Sequence, residues 1–287
     1  MNSQDPKTCA AAAYNAAADR YDDPRLSFWE RFGRRTIERL GLEPGDRVLD
    51  VCCGSGASAL VAAERVGPRG KVLGVDLAEN LVQRARVKAQ IRRLGNVEFQ
   101  AGDFERFDAP PESFDAVVCV FGIYFAPDMW GALRRLWRWL KPGGRLAITT
   151  WGPRLFEPAS SLFWQAVCAE RPDLYKGFNR WDRIAKPAAL ERLLQEAGIP
   201  ASRAEAAAGV HPLAQPEDWW TIVQGSGYRG TLEELDADAR SRVRERTLRA
   251  LAATGTRTVE TNVIYATAVK AGCPSALSPL AMAGCLV

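Results

Sequence analysis

The residues with the greatest chemical potential are concentrated in one short stretch, VLDVCCGSGAS, at residues 48–58. Cys52 and Cys53 could act as nucleophiles, but a catalytic cysteine needs a neighbouring base or an electropositive pocket to form a thiolate. No histidine lies near them in the sequence. Gly54 and Gly56 instead suit a strand-to-helix turn whose backbone N–H groups approach a ligand. We therefore predict a ligand-binding turn in which the two cysteines only fill space.

The glycine pattern has two interpretations. Gly54, Gly56 and Ala59 satisfy the G-x-G-x-x-A fingerprint of dinucleotide-binding proteins, and Asp76 follows 22 residues after Gly54. An acid at that spacing suits the hydroxyl pair of a ribose. An NAD(P)-dependent oxidoreductase is therefore one hypothesis for this chain.

Three further residues favour a different ligand. Asp50 precedes the glycines, where a carboxylate can bind an ammonium group directly or through water but would repel a pyrophosphate. Asp103 follows the third predicted strand, in a position to accept a hydrogen bond from an exocyclic amine. His211 is the single histidine, so hydride transfer has no obvious acid/base partner. A ligand with an ammonium group, a ribose and an adenine fits these residues, and S-adenosylmethionine is such a ligand.

Apolar strands alternate with helical segments over residues 46–151, which predicts an α/β core with a parallel sheet covered by helices on both faces. Ligands of such sheets bind at the carboxyl ends of the strands. Residues 1–45 are predicted to form a helical cap. Residues 152–270 are predicted to complete the same domain and cover a substrate pocket, and residues 271–287 to form a poorly ordered tail.

Composition excludes several classes of protein. The formal charge of +4 over 287 residues is small, and the arginines are spread along helical segments, so no nucleic-acid partner is expected. No apolar run approaches the ~20 residues that span a bilayer, and no signal peptide is evident. We expect a cytoplasmic protein whose 7 cysteines are reduced, without a metal site because no C-x-x-C pair occurs.

Five segments in order resemble the successive motifs of class I SAM-dependent methyltransferases: VLDVCCGSG, VLGVDLAENLV, NVEFQAGDFERF, FDAVVCVFG and LKPGGRLAITTW. They most resemble the ubiquinone/menaquinone-biosynthesis C-methyltransferase group, whose domain is called methyltransferase type 11. The resemblance implies a Rossmann-like sheet of seven mostly parallel strands with the last antiparallel, and TVETNVIYATAVKA would be that reversed edge strand. Upstream, YNAAADRYDD resembles the helical segment that folds over the bound cofactor.

The resemblance also implies which residues contact S-adenosyl-L-methionine: Tyr21 as a cap, Asp50, Cys52, Gly54 and Gly56 at the methionine end, Asp76 at the ribose, Leu77, Gly102, Asp103 and Phe104 around the adenine, and the Val120 carbonyl at the ammonium group. Cys52 departs from the glycine that many members have. Structural roles remain alternatives for individual residues, since Asp76 could cap a helix and Tyr21 could be an exposed helix residue.

The acceptor is predicted to be a hydrophobic or aromatic small molecule of the secondary-metabolite or quinone type. The 9 tryptophans support this, since several follow the fifth strand, where the family shapes its acceptor pocket. In-line methyl transfer depends mainly on positioning in a dry pocket. Tyr124 and His211 are the candidate catalytic residues. A homodimer is compatible with the sequence, and a SAM-binding protein without methyl transfer is a further alternative.

Overall fold

The computed structural model describes residues 6–200 and 202–272. A seven-stranded sheet forms its centre, in the order β3-β2-β1-β4-β5-β9-β6. These strands are β1 (Arg47–Val51), β2 (Lys71–Asp76), β3 (Val97–Ala101), β4 (Phe114–Val120), β5 (Leu140–Trp151), β6 (Arg203–Ala207) and β9 (Val263–Val269). Among them, β9 runs opposite to the other six strands, which confirms the predicted Rossmann-like fold.

Helices cover both faces of this sheet. They are α1 (Pro6–Ala17), α2 (Phe28–Leu40), α3 (Ala59–Val66), α4 (Glu79–Ile91), α5 (Met129–Trp139), α6 (Ala159–Glu170), α7 (Pro187–Glu196), α8 (Pro216–Gln224), α9 (Arg229–Glu233) and α10 (Ala237–Ala253). One apolar cluster includes buried residues of α3 and α4, and a second includes buried residues of α5, α6 and α7. The central strands β1 and β4 are buried from both sides, as their continuous apolar sequences predict.

The prediction of a reversed edge strand over residues 258–271 was wrong in one respect. Its second half is β9, which lies between β5 and β6 instead of at the edge. Its first half is β8 (Thr258–Glu260), which pairs with β7 (Val210–Pro212) in a separate two-stranded sheet. The edge position belongs to β6, most of whose residues are only partly buried or exposed.

The charged segment at residues 231–255 contributes to two helices. Thr231–Glu233 belongs to α9, and α10 starts again at Ala237. The side chain of Asp236 accepts a hydrogen bond from the Ala239 N–H at 2.7 Å and so caps α10. This local cap sets the boundary that the charge pattern alone did not reveal.

The N-terminal helices lie over the carboxyl ends of the strands. α1 contacts α4 and α9, and α2 packs against α3 and β5. Gly33 allows α2 to approach the glycine turn, because a Cβ there would lie 2.7 Å from the carbonyl carbon of Ala57. The cap is thus fixed directly above the turn that carries Gly54.

Two findings on the described residues concern membranes and metals. None of the described helices is both long enough and apolar enough to span a membrane. No group of three His, Cys, Asp or Glu side chains in the same residues is arranged to hold a metal ion. The predicted tail falls almost wholly on residues 273–287, which lie outside the described part of the chain.

Candidate active site

The turn after β1 has the backbone that its glycines predict. Gly54 and Gly56 have φ values of +54° and +87°, and Cys52 has +57°, a region that favours glycine. Glycine could adopt this conformation at less cost than Cys52 does. The pKa of the Cys52 thiol is raised well above its usual value, mainly by a hydrogen bond with Cys119 and next by burial. The thiol is therefore held neutral, which suits the space-filling role.

Asp76 fastens this turn to the end of β2. Its two carboxylate oxygens accept hydrogen bonds from the N–H groups of Gly54 and Ala78, each at 2.8 Å. Burial raises the pKa of Asp76, and these backbone hydrogen bonds oppose that shift. A carboxylate has about four acceptor sites, so roughly two remain for a ligand. Asp76 can thus hold the turn in place and still bind a ribose.

A cavity lies above the turn, and most of the predicted cofactor residues line it. They are Tyr21, Cys52, Gly54, Asp76, Leu77, Gly102, Asp103, Phe104 and Val120. The structure therefore brings residues from the exits of β1, β2, β3 and β4 to one place, as expected for a parallel sheet. These residues offer carboxylates, apolar side chains and accessible backbone groups, which fit an adenosine with an attached amino acid.

Asp50 and Gly56 do not line this cavity. Asp50 is 1% exposed and accepts a hydrogen bond from the Ser58 hydroxyl at 2.5 Å, just before α3. Burial raises the pKa of Asp50 to about 7. Gly56 packs under the turn, where a Cβ would lie 3.1 Å from the Phe99 ring. Both residues support the turn from below, and neither belongs to the lining of the cavity.

Tyr21 covers the cavity from above. Its ring stacks on Trp29 with centroids 5.0 Å apart, and a Cβ on Gly54 would lie 3.2 Å from its hydroxyl oxygen. The adjacent Asp22 accepts hydrogen bonds from Ser55 at 2.6 Å, Arg84 at 2.7 Å and Lys88 at 2.9 Å. Asp22 therefore ties the covering segment to both the glycine turn and α4.

Lys7 is a cavity residue that the sequence analysis missed. Its ammonium group pairs with Asp103 at 2.9 Å and also with Glu105. All three side chains are mostly shielded from solvent. Lys7 belongs to no recognisable sequence motif, so only the position of α1 in the fold reveals it. The pair connects α1 to the carboxylate predicted to meet the adenine amine.

A second, larger cavity of about 560 Å³ adjoins the first. Aromatic rings dominate its lining: Tyr14, Trp29, Tyr124, Phe125, Trp151, Phe156, Trp164, Phe178, Trp181 and Tyr228. Of the described residues, Ala10, Tyr14, Trp29 and Phe125 line both cavities. Tyr14 belongs to the segment YNAAADRYDD, which was the available sequence signal for it.

The two candidate catalytic residues have different positions. Tyr124 is 1% exposed, lines the large cavity, and packs against Phe125 with centroids 4.8 Å apart. His211 lies in β7, outside the lining of both cavities, with its Nε2 2.7 Å from the carbonyl oxygen of Arg25. Burial lowers the pKa of His211. The structure therefore does not bring His211 to the site, and the contact with Arg25 gives it a structural role.

Comparisons with known proteins agree with this geometry. The family described as "Methyltransferase domain" matches residues 48–144. Aklanonic acid methyltransferase DauC of Streptomyces sp. (strain C5) is 33% identical over 193 residues, covering 63% of this chain and 88% of that protein. Demethylmenaquinone methyltransferase of Listeria welshimeri is 38% identical over 117 residues, covering 41% of this chain and 50% of that protein.

A solved structure, a SAM-dependent methyltransferase from Aquifex aeolicus, shares the fold with a TM-score of 0.51 at 24% identity. The match covers 67% of this chain and 89% of the other. The match to DauC, at 33% identity and covering 88% of that protein, shows a methyltransferase family and excludes the oxidoreductase hypothesis. This chain belongs to the class I SAM-dependent methyltransferases, enzymes whose methyl donor is S-adenosyl-L-methionine.

Proposed function

We propose that this enzyme methylates a polycyclic aromatic acceptor of the quinone or polyketide type. The cofactor would lie in the smaller cavity and the acceptor in the larger one. The observation that carries the proposal is the wall shared by the two cavities, formed by Ala10, Tyr14, Trp29 and Phe125. In-line transfer requires the acceptor atom to lie directly against the sulfonium methyl group, so the two reactants would meet where the cavities adjoin beside these four residues, and holding both there supplies most of the catalysis.

The residues of the smaller cavity fit the cofactor. When bound, S-adenosyl-L-methionine supplies a methyl group activated by the positive charge on its sulfur. The free acceptor sites of Asp76 suit the ribose hydroxyls, and Leu77 and Phe104 offer apolar surfaces for the adenine. The Val120 carbonyl can accept a hydrogen bond from the ammonium group. Trp29 is part of the shared wall, and its buried indole N–H has no partner within the described residues. This N–H group is a further donor for the cofactor's carboxylate.

The α1 helix must move for the cofactor to bind. The smaller cavity has a volume of about 70 Å³, far below the ~300–1,000 Å³ typical of ligand pockets. Lys7 of α1 also occupies the Asp103 carboxylate. We infer that α1 opens to admit the cofactor and closes again. Because α1 also lines the larger cavity, this closure completes the acceptor site.

Size and composition support the class of acceptor. A cavity of about 560 Å³ bounded by aromatic rings can stack against several fused rings. Lys176 and Arg180 line the same cavity and form no ion pair within the described part of the chain, so they can meet an acidic group. The names of the two relatives point to acceptors of this kind, an aklanonic acid and a demethylmenaquinone.

Methyl transfer to a panel of acceptors tests the proposal. The enzyme is incubated with isotopically labelled S-adenosyl-L-methionine and with anthraquinone carboxylic acids, hydroxynaphthoquinones or single-ring catechols, and products are detected by mass spectrometry. We expect labelled products from the fused-ring acceptors. Labelling of single-ring acceptors alone would contradict the proposal, and cofactor binding without any product would favour a SAM-binding protein without methyl transfer.

A matched pair of variants locates the acceptor. Trp181→Ala removes a ring from the larger cavity and should raise the KM for the acceptor about tenfold without changing the KM for S-adenosyl-L-methionine. Leu77→Ala removes a predicted adenine contact and should do the reverse. Equal effects of both variants on both substrates would contradict separate sites.

A further inference from the structure

One tyrosine belongs to the wall shared by the two cavities, and a second lies beside it. Tyr14 comes from α1, and Tyr124 lies in the short 3-10 turn Ile123–Phe125 that follows β4. The ring of Phe125 contacts both, with centroids 5.9 Å from Tyr14 and 4.8 Å from Tyr124. Both tyrosines line the larger cavity. Neither hydroxyl has a hydrogen-bond partner within residues 6–200 and 202–272.

The hydroxyl of Tyr14 is directed to the acceptor side of the wall. A Cβ placed on Gly227 would lie 3.5 Å from this hydroxyl oxygen, and Gly227 lines only the larger cavity. The residue itself also lines the smaller cavity. The hydroxyl is therefore located beside the path that a transferred methyl group must take.

A third tyrosine of the larger cavity provides a contrast. The Tyr228 hydroxyl is 2.8 Å from the Ser160 hydroxyl, so it already has a hydrogen-bond partner within the protein. A cavity hydroxyl without such a partner, like those of Tyr14 and Tyr124, can donate its hydrogen bond to a ligand.

We propose that the hydroxyls of Tyr14 and Tyr124 donate hydrogen bonds to one ionised oxygen of the acceptor, a carboxylate or an acidic phenolate, and hold it facing the cofactor. This inference rests on the proposed function and narrows it to O-methylation of an acceptor that has already lost its proton. The reaction forms an O–C bond as the S–C bond of the sulfonium breaks. The negative charge on oxygen and the positive charge on sulfur cancel, and no proton is released.

The surroundings keep both phenols protonated. Burial raises the pKa of Tyr14 and of Tyr124, with smaller contributions from neighbouring groups: Asp76 and Cys52 for Tyr14, and Tyr14, Cys119, Tyr21 and Cys52 for Tyr124. Protonated phenols are donors and cannot act as bases at neutral pH. The larger cavity also has charged residues in its lining, namely Lys176, Arg180, Glu233 and Glu234.

Such a donor pair would stabilise a bound anion, and an ionisable dye reports this directly. The probe is alizarin, a hydroxyanthraquinone whose visible spectrum changes on ionisation. It is titrated with pH in the complex with S-adenosylhomocysteine. We expect the pKa of bound alizarin to lie below that of the free dye, by about one unit for each phenol that donates to it.

Three variants assign the effect. Tyr14→Phe and Tyr124→Phe should each raise the pKa of the bound dye by about one unit, with the affinity for S-adenosylhomocysteine changed less than about threefold. Tyr228→Phe, from the same cavity, should leave that pKa unchanged, since its hydroxyl is already bonded to Ser160.

The outcomes separate this inference from the proposed function. A dye that binds with its free pKa, or an equal shift in Tyr228→Phe, would overturn the phenol pair while leaving the acceptor class intact. Failure of alizarin to bind to wild-type protein already loaded with S-adenosylhomocysteine would overturn both.

Discussion

Asp76 and Asp50 are two carboxylates that the sequence assigned to the same cofactor. The structure predicts that replacing Asp76 weakens cofactor binding much more than replacing Asp50. Asp76 lines the smaller cavity with about two acceptor sites free. Hydrogen bonds to a charged group contribute about 1.5–3 kcal/mol and neutral ones about 0.5–1.5 kcal/mol. Replacing the charge in Asp76→Asn should therefore cost roughly 2–3 kcal/mol over two ribose hydroxyls, a loss of about 30- to 150-fold in affinity.

Asp50→Asn is the matched control. Asp50 lies under the turn, and its contact with Ser58 is one that an amide oxygen can keep. We expect the affinity for the cofactor to change less than about threefold. Calorimetric titration of both variants with S-adenosylhomocysteine measures the difference. Equal losses of affinity would refute the assignment of Asp76 to the ligand and Asp50 to the turn.

The pH dependence of stability gives Asp50 a separate signature. Its pKa of about 7 in the folded protein exceeds the unfolded value of about 3.9. The folded state therefore holds this proton to higher pH, and the stabilising contribution is lost as the pH rises from about 4 through about 7. Urea unfolding should show a loss of stability over this range that Asp50→Asn reduces. An identical pH profile in the variant would show that Asp50 is already ionised in the fold.

Three further predictions concern α1, the covering segment that contains Asp22, and the glycine turn. Lys7→Met removes the ion pair with Asp103 and should speed the release of S-adenosylhomocysteine roughly tenfold in stopped-flow experiments; an unchanged rate would show that this pair does not hold α1 closed. Cys52→Gly, at φ +57°, should change the free energy of unfolding by about 1 kcal/mol or less and keep methyl transfer within about twofold, whereas a hundredfold loss would make the thiol a participant. Burial opposes the lowering of the Asp22 pKa, but Lys88, Ser55 and Arg84 together lower it. Asp22→Asn should therefore lose roughly 1–2 kcal/mol of stability at neutral pH, and this difference should fade as the pH falls below the pKa of Asp22 in the unfolded chain. A constant difference down to acid pH would contradict this.

The parts of the fold with strong local signals could be predicted from the sequence. Strands β1, β2 and β4 are short, mainly apolar runs, and the glycine turn carries its own backbone signature in Gly54 and Gly56. Strand exits then place Asp76 and Asp103 on one edge, because parallel strands end at the same edge of a sheet. These are consequences of periodicity and topology that need no tertiary detail.

The remaining features depend on packing between distant segments. The position of β9 depends on its pairing with β5 and β6, which are both distant in sequence, and residues 258–271 carry no local signal for it. The burial of Asp50 depends on how α3 closes over the turn. His211 could be placed only by its contact with Arg25, and Lys7 only by where α1 lies. For the same reason, the sequence identified a covering segment but not that Tyr14 lines both cavities.

A crystal structure of the complex with S-adenosylhomocysteine tests the central claim most directly, namely that the two cavities divide cofactor from acceptor at a shared wall. The account predicts the adenosine between Leu77 and Phe104, the ribose on Asp76, and the sulfur facing the wall formed by Tyr14, Trp29 and Phe125. The larger cavity should remain open beside it. A sulfur atom facing away from this wall, or an adenosine bound within the larger cavity, would contradict the account.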